Sequence, residues 1–306
     1  MKNTNIFLKN EGDIISTIYL DQNVIDAISK KRINLEIPDN ARIIYSTENL
    51  NEINRARINS KDGAGHLPYL DVLHNLNAIY ISYEPSDPYI TDKRRTWVGT
   101  PKHIFKEFFL KNAPPYQSII ENMNLLVHKY HGGQKNKSIT DLSKNINKNW
   151  FKISDHLLNE LNKLNNRVDK VDYDPIKEFR EEYSLSPGDL NKIKAPYIKN
   201  ICCKKEISIE KMNEVLDDFI KKCLPVENCL TLKINLLYSA LNILGFYPDK
   251  NIRDMKAFTA SLSDNSHACY ANFSCLFLTA DKRMYKKISA VYEYLGIKTI
   301  CKLIDL

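Results

Sequence analysis

Apolar and polar residues alternate along the first 83 positions in a way that switches between two periods. Thr17-Ile18-Tyr19-Leu20 is a short β-branched and apolar run closed by Asp21, and Val24, Ile25 and Ile28 then recur at helical spacing. Arg42-Ile43-Ile44-Tyr45 repeats the strand signal. Ser46 or Thr47 can cap the helix that follows, whose apolar face holds Leu50, Ile53 and Ala56. Asp62-Gly63 breaks that pattern, and a short helix leads into a third strand, Ala78 to Tyr83. Strand and helix in alternation predict a parallel sheet with crossover helices.

From about residue 85 to 246 the strand signal is lost. Leu157, Leu158, Leu161, Leu164 and Val168 form one helical stripe, and Ile209, Met212, Val215, Leu216, Phe219, Ile220 and Cys223 form another. Leu230 to Leu244 is dense in apolar residues and ends at Gly245, a residue suited to a helix C-cap. The alternation then returns. Asp264 to Phe273 reads as a helix, Cys275 to Thr279 as a strand, and Asp281 to Tyr294 as a helix stopped by Gly296. Ile297 to Cys301 reads as the last strand. The pattern predicts an α/β domain split between residues 1–84 and 247–306, with an all-helical insertion at 85–246.

Composition narrows this picture. The chain has 306 residues, 43% hydrophobic and 26% charged, as a folded protein with a sizeable core requires. The apolar, uncharged stretch Ile234 to Pro248 is shorter than the roughly 20 residues of a membrane helix and interrupted by polar residues. With no apolar leader near Met1, a cytoplasmic location away from membranes is expected. Seven cysteines without a C-x-x-C pair point to free thiols, not to a zinc site. The net charge of +7 is concentrated: residues 92–148 hold 11 Lys and Arg against 4 Asp and Glu. Arg94 and Arg95, with Trp97 close by, suit phosphate contacts and base stacking on a nucleic acid. A solvated helical face above buried aromatics accounts for the same composition.

Three acidic residues stand where a strand gives way to a helix, or just inside that helix: Asp21, Glu52 and Asp281. A fourth, Asp264, is read as opening the helix before the strand at Cys275. The carboxyl ends of parallel strands share one sheet edge, where ligands bind. Four carboxylates gathered there repel one another unless a cation lies between them, and Mg²⁺ or Mn²⁺ suits an all-oxygen site. Such metals generate hydroxide from water and stabilise a phosphodiester leaving oxygen. Taken singly, Asp21, Asp264 and Asp281 read equally as helix caps, and Glu52 as a solvated helix residue. Glu48, four residues before Glu52, shares its face, and which of the two points inward stays open.

The local sequences add to this. Asp264-Asn-Ser-His-Ala-Cys-Tyr-Ala-Asn-Phe-Ser-Cys-Leu-Phe-Leu-Thr-Ala-Asp-Lys-Arg-Met resembles the C-terminal signature of PIN-like nucleases. Tyr-Leu-Asp21-Gln-Asn resembles the end of that family's first strand. Ile-Ile-Tyr-Ser with Leu50-Asn-Glu52-Ile resembles the segment with its second acidic residue. The resemblance covers the two ends of the chain and leaves the middle unmatched. It implies a doubly wound α/β fold and metal-dependent hydrolysis of phosphodiesters, usually in RNA. It implies Asp21, Glu52, Asp264 and Asp281 as catalytic metal ligands for Mg²⁺ or Mn²⁺, with Asn23 supporting the first. Gln22 departs from the small residue common after the first Asp, and the insertion is large for the compact toxin-type members.

His267, one turn after Asp264, is a candidate support for the ligands, and Lys282 and Arg283 are candidates for substrate phosphate alongside Arg94 and Arg95. The expected activity is that of an endoribonuclease acting on RNA, with single-stranded DNA a second substrate to test. Toxin and antiviral-defence roles, an inhibitory or regulatory protein partner, and an oligomer are compatible with it. The alternative is a PIN-like module that binds nucleic acid without cutting it. No P-loop, G-x-S-x-G or G-x-G-x-x-G occurs to support other chemistries.

Overall fold

The computed structural model describes residues 4–7, 17–83, 94–111, 128, 175–182, 184, 187–204, 206, 208, 210, 213 and 230–306. The stripes at 157–168 and 209–223 and most of the basic stretch lie outside these residues. The chain divides into two compact units. One comprises Met1–Glu84, Lys93–Ala113 and Ser266–Leu306, and the other Pro85–Asp92 and Pro114–Asn265.

The first unit is built on a six-stranded sheet. Its strands are β2 (Thr17–Leu20), β4 (Arg42–Ser46), β5 (Ile79–Tyr83), β6 (Arg94–Trp97), β7 (Leu276–Thr279) and β8 (Ile300–Leu303), in spatial order β6-β5-β4-β2-β7-β8. All neighbours are parallel except β6, which runs antiparallel to β5. A separate parallel pair joins β1 (Thr4–Phe7) to β3 (Ile33–Glu36). The expected α/β class and the mostly parallel sheet are therefore present. Three details differ from the sequence pattern. The β1–β3 pair was not expected. β6 lies inside the stretch read as wholly helical, where its Arg-Arg-Thr-Trp sequence offers no apolar run to betray an edge strand. The last strand begins three residues later than Ile297.

Helices α1 (Gln22–Ser29), α2 (Thr47–Asn59), α3 (Leu67–Asn75) and α4 (Pro101–Lys106) connect these strands, and a π-helical turn follows at Glu107–Lys111. The central strands are buried on both faces: Ile18, Tyr19, Leu20, Phe277 and Leu278 are all at most 1% exposed. That is why they read as continuous apolar runs, not alternating ones. Val24, Ile25 and Ala27 of α1 and Leu50 and Ile53 of α2 are fully buried against this layer. Each such Val, Ile or Leu contributes roughly 1.5–3 kcal/mol through burial.

In the second unit, α5 (Pro175–Glu182), α6 (Pro187–Leu190), α7 (Tyr197–Lys204) and α8 (Leu230–Leu244) are described. Arg180 donates from Nε and Nη2 to the carbonyls of Ile243 and Asn242, at 2.8 and 2.9 Å, which satisfies the open end of α8. No helix among the described residues is long and apolar enough to cross a membrane. Five cysteines, Cys202, Cys203, Cys269, Cys275 and Cys301, are free thiols.

Helix α9 (Met255–Ala271) starts earlier than its sequence suggested. Asp254 caps it, accepting from the amides of Lys256 and Ala257 at 3.0 and 3.1 Å. Asp264 therefore does not open this helix; it sits in its third turn. Asp264, read as a helix start, is tolerated inside because tertiary packing overrides its weak helix propensity.

Helix α10 (Lys282–Leu295) matches its sequence signals closely. Asp281 is its N-cap, and Gly296 ends it in the left-handed region at φ 67°. A Cβ at Gly296 would meet no neighbour within 4 Å, so substitution there acts through backbone strain alone. Gly296→Ala is expected to lower unfolding free energy by about 1 kcal/mol, read from urea denaturation. An unchanged midpoint would show that the αL cap contributes nothing.

Candidate functional site

The chain reverses direction across the sheet at β2. From β2 it proceeds to β4 and β5 on one side, and β7 and β8 fill the other. The carboxyl ends of β2, β4 and β7 thus meet around this point, where open α/β sheets bind their ligands. Leu20 is in register with Leu278, and the Asp21 amide donates to the Leu278 carbonyl at 3.0 Å. Ser46 at the end of β4 and Thr279 at the end of β7 lie on the same edge.

Asp21 is 2% exposed at the first position beyond β2. It flanks α1 yet makes no side-chain cap. Its Oδ2 instead accepts from Asn23 Nδ2 at 3.0 Å and from Thr279 Oγ1 at 2.8 Å. The supporting role expected of Asn23 therefore has a physical form. Thr279 was not singled out from sequence, although it is the Thr of the Thr-x-Asp run. Its Oγ1 also accepts from the Asp281 amide at 3.0 Å, tying Asp281 to Asp21 through one hydroxyl. Asp281 Oδ1 accepts from the amides of Arg283 and Met284 at 2.6 and 2.9 Å. Asp281 is thus a helix cap as well as a neighbour of the Asp21 network.

Glu52, from α2, and His267, from α9, complete the cluster. Ligand atoms of Asp21, Glu52 and His267 all lie within 4.8 Å of one another. Glu52 Oε2 is 3.1 Å from His267 Nε2, and its Oε1 accepts from Arg55 at 2.9 Å. Glu48 is buried on the same helix face, 3.4 Å from the Arg55 guanidinium and 3.3 Å from Asn51 Nδ2. The ambiguity between Glu48 and Glu52 resolves in geometry: Glu52 joins Asp21 and His267, and Glu48 backs Arg55. Asp264 is not in this cluster among the described residues. It lies three residues before His267 and is half-buried on a helix face shared with it.

A chain of hydrogen bonds leads to His267. Asn49 Nδ2 donates to the Leu20 carbonyl at 3.1 Å, so its Oδ1 faces Ser46, whose amide donates to it at 2.9 Å. Ser46 Oγ also donates to that oxygen, at 3.3 Å. Tyr19 OH lies 2.7 Å from Ser46 Oγ and 2.7 Å from His267 Nδ1, so the chain of hydrogen bonds reaches the imidazole. Nε2 faces the Glu52 carboxylate, which favours the charged imidazolium form of the ring. Burial alone would push its pKa down. The hydrogen bond from Glu52, then the charges of Glu52, Asp21 and Glu48, outweigh burial and raise it to about 9. His267 is fully buried and packs between the acids.

Burial raises the Asp21 carboxyl above its ordinary value. The His267 charge opposes this, Glu52 adds to it, and the Thr279 and Asn23 hydrogen bonds lower it. A buried acid beside a second acid is held at a disadvantage that a cation relieves. The carboxylate oxygens fit Mg²⁺ or Mn²⁺. His267 has both nitrogens engaged, which leaves the carboxylates as the groups that could hold a cation.

The cationic candidates distribute along the same edge. Lys282 is exposed and Arg283 half-buried in the first turn of α10. Arg94 and Arg95 begin β6 in register with Tyr83 and Ser82, at the carboxyl end of β5. They stand three strands from β2, roughly 14 Å at ordinary strand spacing. No family model matches the chain, and neither a curated protein nor a solved structure matches it.

Proposed function

We propose that this chain is a divalent-metal-dependent endoribonuclease of PIN-like type, hydrolysing phosphodiester bonds at the carboxyl edge of its parallel sheet. The observation that carries this reading is the convergence of Asp21, Glu52 and His267 within 4.8 Å, with Asp281 linked through Thr279. These residues come from opposite ends of the chain, and helix capping alone gives no reason to gather them. Asp21, Glu52 and Asp281 would hold the cation. Mg²⁺ or Mn²⁺ held there would supply an activated water and screen charge that develops on the phosphodiester.

The remaining residues have defined tasks. Thr279 and Asn23 orient Asp21. The His267 imidazolium, itself fixed by Tyr19, holds one oxygen of Glu52, and Arg55 the other. Lys282 and Arg283 beside Asp281, and Arg95 further along the same sheet edge, would contact a phosphate backbone.

The test is incubation of the purified chain with labelled single-stranded RNA and DNA, in Mn²⁺ or in EDTA. RNA cleavage in Mn²⁺ and none in EDTA is expected, and full cleavage in EDTA contradicts the reading. A non-catalytic nucleic-acid-binding module has one observation in its favour: the His267 imidazolium already compensates Asp21 and Glu52 without a metal. That reading gains if RNA binds and no metal among Mg²⁺, Mn²⁺ and Zn²⁺ elicits cleavage.

A further inference from the structure

A cavity of about 570 Å³ opens beside the acids, within the range typical of small-molecule sites. Its walls come from the residues after β2, β7 and β8 and from the turn that follows α1. Asn23 and Asp281 line it, so it is continuous with the Asp21 network. Two cations, Arg32 and Lys282, and two carboxylates, Asp281 and Asp305, line it, and an apolar wall includes Leu303 and Leu306. Arg283, the other basic residue expected to meet phosphate, does not line it.

The chemistry of these walls is specific. Arg32 is held by Asp26, whose Oδ2 accepts from its guanidinium at 2.7 Å. Asp26 is braced in turn by the Tyr69 hydroxyl at 3.0 Å, so the cation is fixed in place. Lys282 is exposed and free to adjust. The first-turn amides of Arg283 and Met284 are already taken by Asp281, which leaves an arriving anion to the side chains. A ligand with an anionic end and a flat apolar body matches one cationic and one apolar wall together. Inorganic phosphate uses only the first.

We propose that this cavity binds one nucleotide unit of the strand beside the bond that is cut, its phosphate between Arg32 and Lys282 and its base on the Leu303 and Leu306 wall. The choice of ligand rests on the nuclease reading above, and the cavity's location gives that site a defined flanking subsite.

The experiment is calorimetric titration of the full chain with adenosine 5′-monophosphate, with inorganic phosphate and adenosine as separate arms. All are run in EDTA, where cleavage plays no part. Saturable binding of the monophosphate is expected, tighter than either fragment. Lys282→Ala should weaken it about tenfold, as loss of one charge-assisted contact does. Leu306→Asp, at a half-exposed wall position, should weaken the monophosphate and leave inorganic phosphate unchanged. Lys298→Ala, exposed and away from the cavity, should bind as wild type, and thermal melts confirm that each variant folds. Absence of saturable binding, indifference to both cavity variants, or phosphate binding as tightly as the nucleotide overturns the proposal. A chain that binds the monophosphate yet never cuts RNA keeps this subsite and loses the nuclease reading. One that cuts RNA without such binding does the reverse.

Discussion

Asp21→Asn is expected to abolish Mn²⁺-dependent RNA cleavage, by roughly 10³-fold or more, while leaving the metal-free protein as stable as wild type or more so. The two halves of this result have one cause. Burial, with Glu52 beside it, raises the carboxyl of Asp21, so folding disfavours its charged form. An asparagine is neutral, and its amide oxygen can keep the hydrogen bonds from Thr279 and Asn23 that now reach Oδ2. The variant sheds the repulsion and loses a ligand. Residues that gain stability when removed and lose activity mark functional sites. Mn²⁺ should raise the melting temperature of wild type, by linkage of about 2.7 kcal/mol at a hundredfold excess over Kd, and leave Asp21→Asn unmoved. The checks are scanning calorimetry with and without Mn²⁺ and a single-turnover cleavage assay. Retained cleavage removes Asp21 from the chemistry. A variant that loses activity and unfolds at lower temperature in EDTA makes Asp21 a structural residue.

His267→Gln is expected to be the most destabilising of the changes considered, by about 3–5 kcal/mol in EDTA at pH 6. The imidazolium is completely buried, and both its nitrogens are bonded, to Tyr19 and Glu52. Its removal leaves Asp21 and Glu52 facing each other and breaks the chain through Ser46. This contribution depends on pH in a defined sense. The folded value is about 9, above the ordinary 6.5, so the folded state binds the extra proton more tightly than the unfolded chain. The stabilisation is complete below pH 6.5 and is lost as pH rises through 9, about 3 kcal/mol in all. Wild type should therefore approach His267→Gln in stability between pH 6 and 9.5, measured by urea denaturation at each pH. A constant gap across that interval would mean that His267 is neutral throughout and that its proton inventory is wrong.

Several features of this molecule could be read directly from its residues. The central strands were visible because parallel strands buried on both faces are written as unbroken apolar runs, as in Ile18-Tyr19-Leu20 and Leu276-Phe277-Leu278. Helix α10 was visible at both ends, because an Asp cap and a glycine in the left-handed region are local devices. β6 was not visible. An edge strand is defined by its partner, and Arg94–Trp97 pairs with β5 without a run of its own. The start of α9 was misplaced because Asp254 and Asp264 are equally good caps by composition, and only packing chose the first.

The candidate site divides along the same line. Sequence alone determined which acidic residues stand at strand ends, since the position of Asp21 after Leu20 and of Asp281 after Thr279 is a local fact. Only the tertiary structure decided that Glu52 and not Glu48 meets Asp21, because the two share a helix face and differ only in what lies opposite. It alone placed His267 as a protonated partner between two acids, through a relay from Tyr19 to Asn49 that spans three elements. It alone gave Thr279 its part, as the hydroxyl that joins Asp21 to Asp281. Periodicity records which side of an element faces inward; the identity of the group met there depends on contacts hundreds of residues apart, which no local pattern encodes.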